Sequence, residues 1–226
     1  MKRTIYLLFV LAFVSVSNAA LGNDVKRVPT GMIANHLVAR ITFFFDGVTP
    51  PELVGYIPFI EGVRGPFFDG PPGVETAYFT IRFNAGPPPI ALDPGSNVAV
   101  NVLPPGATFD IYYDKTPDQS WDNPDSFSNG RLVATFEESA LLTTTIAEPD
   151  GSGSGFNYFS SKPIYAKSFK FHRRWVNFKD LVPNGTTTYN FVSNTPVSFL
   201  ADRITFAFAG SAIAVGEASR RDHFDD

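Results

Sequence analysis

The side chains best placed to do chemistry fall into three groups. Asp114, Asp118, Asp122 and Asp125 crowd one turn-rich stretch. Calcium takes about six to eight hard oxygens, and a loop can wrap carboxylates and carbonyls around it. The spacing departs from the EF-hand pattern and no bidentate Glu closes it, so the competing reading is a solvated surface loop of Asp, Pro, Asn and Ser. Calcium is the one metal this loop brings into consideration, and no other cofactor is expected.

The second group interleaves charge with aromatics. Lys170, His172 and Arg174, with Lys167, Arg173 and Lys179 nearby, lie among Phe169, Phe171, Trp175 and Phe178. Such mixtures elsewhere hold phosphates or stack bases. Read as one strand, alternation sends Lys170, His172 and Arg174 to one face and Phe169, Phe171, Arg173 and Trp175 to the other, a charged wet face and an aromatic dry one. In the third group, Tyr112, Tyr113 and Trp121 flank the acidic loop. Ring faces beside carboxylates suit sugar C–H bonds and hydroxyls, and core packing is the competing use.

No residue earns a catalytic assignment. His36, His172 and His223 are far apart and match no metal-ligand spacing. Gly151-Ser152-Gly153-Ser154-Gly155 has the letters of a nucleophile elbow, but it reads as a flexible polar loop without the strand and helix that strain such a serine. Glu137 and Glu138 are adjacent, so on a strand they face opposite ways and form no acid–base pair.

The elements that must position these groups read as strands. Residues 37–45 place Leu37, Ala39, Ile41, Phe43 and Phe45 on one face, and 76–83 place Ala77, Phe79, Ile81 and Phe83 on one side against Tyr78, Thr80 and Arg82. Between them, 46–73 carries six prolines and reads as a long connection with one edge strand at 53–60, since each proline removes a ladder donor. Asp93-Pro94-Gly95-Ser96 has the chemistry of a type II turn, followed by strands at 97–103 and 107–114. Further strands are expected at 131–136, 141–146, 164–171, 174–181, 203–209 and 211–215. Val182-Pro183-Asn184-Gly185 predicts a hairpin returning 186–192 onto 174–181. No stretch keeps a helical period over about 10 residues.

Composition agrees. Phe contributes 23 residues, and Pro and Gly 37 together, a mixture that fits pleated surfaces punctuated by turns. With no cysteine in the chain, disulfide scaffolds and thiolate metal sites are excluded and stability rests on packing. About nine to eleven short strands predict an all-β, single-domain two-sheet β-sandwich with facing Phe-rich surfaces, a closed β-barrel being the alternative.

The N-terminus has the layout of a Sec signal peptide over 1–19: Lys2 and Arg3, an apolar run over 5–16, then Ser17 and Ala19 before the cut. A membrane anchor needs about 20 apolar residues, so no stable membrane span is expected after cleavage. The expected organisation is then a leader at 20–36, one β-domain at 37–216 and a polar tail at 217–226. Losing Lys2 and Arg3 from 18 basic residues leaves 16 against 22 acidic ones, which argues against a nucleic-acid partner. The sequence therefore reads as an exported, periplasmic or extracellular, non-enzymatic binding or structural module of the cell envelope or medium, with carbohydrate or another envelope protein as candidate partners. The competing reading is a secreted hydrolase or isomerase with a loop-assembled active site.

Overall fold

A computed structural model describes residues 25–88, 90–92, 98–147, 153–193 and 195–216. The expected signal peptide, the turn at Asp93–Ser96 and the tail at 217–226 lie outside them. The described chain is all-β, and its strands close into an eight-stranded barrel rather than a two-sheet sandwich.

The barrel is built from β1 (Ile33–Phe44), β2 (Glu52–Ile60), β3 (Phe79–Asn84), β6 (Thr108–Tyr113), β7 (Arg131–Ala147), β8 (Gly153–Ala166), β11 (Thr186–Ser193) and β13 (Arg203–Ala214), each antiparallel to its neighbours in that order. Pairing of β7 with β8 closes the ring. Three smaller additions decorate it: β4 (Ile90–Leu92) and β5 (Val98–Leu103) extend from the far half of β7, β12 (Ser198–Phe199) pairs with β13, and β9 (Phe169–Phe171) with β10 (Arg174–Val176) forms a separate hairpin.

The sandwich expected from sequence gives way to its alternative, because both architectures share the same alternation and only the pairing of distant strands separates them. The barrel wins because β7 is one strand of 17 residues, not the two expected at 131–136 and 141–146. Its first half pairs with β6 and its second half with β5 on one edge, while its other edge pairs with β8.

Two other expectations change. The segment at 53–60 is a central strand, not an edge. Pro58 is accommodated because β3 pairs only with Val54 to Tyr56, and the β1 register shifts between His36 and Val38. The turn at 182–185 forms, with Gly185 N–H donating to the Val182 carbonyl at 2.9 Å, but β11 returns onto β8 and β13. Residues Phe178–Leu181 instead make one helical turn, α1, capped by Asn177.

One end of the barrel is plugged. Phe169 and Phe171 of the hairpin and Phe178 of α1 pack beneath Phe79 and Tyr113, all joined by ring contacts of about 5 to 6 Å. Residues 25–32 strap across this end, burying Val25 and Val28, and Val28 N–H bonds the Leu181 carbonyl.

Gly185 is the backbone position that this end cannot do without. Its φ is +89°, and a Cβ there would overlap the Ser161 carbonyl oxygen. Gly185→Ala is expected to cost about 2 kcal/mol or more, read as a lowered urea midpoint with unchanged slope.

Candidate functional site

Closing eight strands leaves an interior that side chains fill or that one small ligand occupies. Here the plug fills one end and the remainder is a cavity of about 1200 Å³. Alternation decides what faces it. Leu37, Ile41 and Phe43 of β1, Ile81 and Phe83 of β3, and Phe206 and Phe208 of β13 form an apolar wall. Across from these, β7, β8 and β11 contribute Glu138, Asn157, Thr188 and Asn190. Residues 47–51, 85–88 and Phe199 line the end away from the plug.

Glu138 is the one ionisable side chain among the described residues lining this lumen. It is 3 % exposed, and its Oε2 has no hydrogen-bond partner among the described residues. Phe136 precedes it on the inward face and lies parallel to Phe109 at 5.0 Å, while Phe159 meets Phe109 edge-on at 6.5 Å. Burial disfavours the charged form and pushes the carboxyl up to about 7. Its position follows from a bulge. Glu138 pairs with Ser161 and Ala140 with Ser160, so Ser139 is the extra residue and both Glu138 and Leu141 face the lumen. Asn190 also has an unpartnered buried atom, Oδ1, which lies against Gly210, where any Cβ would overlap it.

The three sequence-derived groups sit elsewhere. Asp114 Oδ1 accepts from the Thr116 N–H at 2.9 Å, Asp118 from Asn129, and Asp125 pairs with Arg82 at 2.7 Å. Asp122 lines a small outer groove with Arg40 and Trp121. Among the described residues, no group of three or more His, Cys, Asp or Glu is arranged to hold a metal ion.

Tyr112 and Tyr113 alternate onto opposite sides. Tyr112 lies with Asp110, 3.4 Å from its carboxylate, and Tyr113 stacks on Phe79 in the plug at 5.3 Å. Trp121 packs against Phe127 on the outer surface, with the Arg40 guanidinium 4.5 Å above its ring. No single aromatic strip joins the three.

The basic segment is a tight hairpin rather than one strand. His172 and Arg173 take φ values of +41° and +74°, and Arg174 pairs with Phe171, the geometry of a two-residue hairpin turn. Phe169 and Phe171 face the plug as expected, but reversal of the chain at 172–173 puts Trp175 opposite Lys170 on the exposed side. Lys170 and His172 are exposed, Arg174 is half-buried, and the His172 Nε2 lies 3.1 Å from the Pro66 carbonyl. His36 bonds Ser211.

Sequence reasoning weighed Glu138 only as half of a pair with Glu137 and assigned it no site. The signal was present: Ala134, Phe136 and Glu138 share one parity on a strand, so an apolar face carries a carboxylate. The opposite-face reading of Glu137 and Glu138 holds, since Glu137 is exposed.

Searches against protein-family models, curated proteins and solved structures find no significant match.

A raised carboxyl has a defined effect on stability. Glu138 holds its proton in the folded protein from its ordinary value of 4.5 up to about 7, where the unfolded chain has lost it. Stability contributed by this group is therefore full below pH 4.5 and falls as pH rises to about 7, by about 3 kcal/mol in all. Comparing urea unfolding of the wild type and Glu138→Gln from pH 4.5 to 8 checks this: the variant gains relative stability across that window.

Proposed function

We propose that the protein is an exported, non-enzymatic binding protein that carries one small, largely apolar molecule inside its barrel. The observation that carries this reading is the lumen of about 1200 Å³ with its apolar wall. Ligand pockets run to about 300–1,000 Å³ and are lined mainly by apolar groups with a few placed polar ones. The size also decides against a packing fault. At about 24 cal/mol per Å³, a dry void this large would cost on the order of 30 kcal/mol, several times the stability of a domain. A space of that cost is kept for water or a guest. Export is supported by the signal-peptide pattern at 1–19.

Hydrolysis by a Ser-His or paired-carboxylate arrangement needs a second ionisable group in the lumen, and Glu138 stands alone among the described lining residues. Binding is the reading this wall supports.

The test uses Nile red, a neutral dye whose emission rises in apolar surroundings. The protein is expected to bind it at one dye per chain, and Ile41→Trp, which adds bulk to the lumen wall, is expected to weaken binding at least tenfold while keeping the wild-type circular dichroism spectrum. Undiminished binding by the folded variant places the dye outside the barrel and overturns the reading.

A further inference from the structure

The chemistry of the lumen's one ionisable group narrows the class of guest, an inference that rests on the lumen being the binding site. We propose that the guest is an apolar amine, a hydrocarbon body with an ammonium head seated against the Glu138 carboxylate.

Glu138 presents a buried acceptor, Oε2, with no partner among the described residues, and leaving a buried polar group unpaired opposes folding, more so when it is charged. Among the described residues, no neighbouring element supplies a counter-charge. On β7 itself Glu137 faces outward, as does its partner Lys162 on β8. Asp110 of β6 is engaged by the Thr135 hydroxyl at 2.6 Å. On β8 and β11, the Ser161 and Thr186 hydroxyls share one hydrogen bond at 3.1 Å and bring no charge. From α1, Phe178 meets Phe136, while Lys179 and Asp180 are exposed. Among the described residues nothing supplies the cation that would complete this site, and a guest can.

Head-group chemistry separates the candidates. An ammonium offers three donors and a positive charge, and a charge-assisted hydrogen bond is roughly twice as strong as a neutral one. An alcohol offers one donor without charge. A ketone offers only acceptors, which suit the protonated carboxyl alone. A carboxylate sets like charge beside like charge at Glu138.

Protons balance simply. Where Glu138 is ionised, the ammonium enters with its own proton and forms the pair. Where Glu138 is protonated, one proton leaves to solvent as the ammonium binds. Affinity therefore climbs about tenfold per pH unit from pH 5 towards 7 and then levels, until the amine itself deprotonates near 10.

Isothermal titration calorimetry with octylamine, octan-1-ol, octan-2-one and octanoate, all below their aggregation limits, tests this on the mature chain. At pH 8 octylamine is expected to bind at least tenfold more tightly than the other three, and Glu138→Gln to lose that advantage while still binding octan-1-ol. In the wild type, octylamine affinity is expected to follow the pH profile above, a measurement independent of any variant. Equal affinities for amine and alcohol overturn the amine assignment and leave the lumen reading standing, as does tightest binding of the ketone or the acid. An amine advantage that survives in Glu138→Gln assigns it to the acidic surface and overturns the proposal. If none of the four binds the wild type, the amine assignment fails, and the Nile red titration shows whether the lumen reading fails with it.

Discussion

Everything in this molecule follows from the seam at which β7 meets β8. The two strands pair from Ala134 with Ala166 to Ala147 with Gly153, and this ladder turns an open sheet into a ring. Closure gives each of the eight barrel strands a partner on both sides and makes the two faces of every strand inequivalent. One parity of side chains points into the lumen and the other outward. A strand slipped by one residue would exchange the two sets, so the apolar wall, the polar wall and the plug all depend on that register.

The phenylalanines are then divided by height. Near the plugged end, Phe79, Phe169, Phe171 and Phe178 are almost fully buried and interlock as a conventional core. Farther along, Phe43, Phe83 and Phe206 line space instead of filling it. The division explains how the barrel stays folded around a large cavity: the hairpin, α1 and the 25–32 strap concentrate packing at one end, and backbone hydrogen bonds hold the rest of the wall. A closed ladder can tolerate a hollow interior in a way that two stacked sheets cannot, because the sheets of a sandwich are held together only by the side chains between them.

Local features of this arrangement were legible in sequence. The alternation at 37–45 and 76–83 marks real strands, and Gly185 marks a real turn, because both are properties of a few adjacent residues. What followed from distant pairing was not legible. Nothing local to 182–193 says that β11 will pair with β8 and β13 instead of the preceding segment, and nothing in 53–60 says that Pro58 will fall where one neighbouring strand stops and the other shifts register. The acidic loop and the basic-aromatic segment drew attention because charged and aromatic residues are conspicuous. They proved to be occupied with turn geometry, surface ion pairs and the plug. Glu138 is a single letter beside another Glu, and its significance needs the ring to be closed around it.

That contrast bears on why a carboxyl is there at all. An inward position between Phe136 and Leu141 would be filled at less cost by a leucine, since burying an ionisable group without a partner opposes folding. Ser139 is inserted as a bulge beside it, at the point where β7 changes partner from β6 to β5, and the Glu138 N–H is held by the Ala107 carbonyl at 2.8 Å. The backbone is thus fixed on both sides of a residue whose Oε2 has no partner among the described residues. Local structure of that kind orients a group without satisfying it. In a lumen otherwise without charge among its described lining residues, an oriented and unsatisfied acceptor would discriminate among the guests proposed above: a molecule that brings donors would relieve its desolvation cost, and one that brings only hydrocarbon would not.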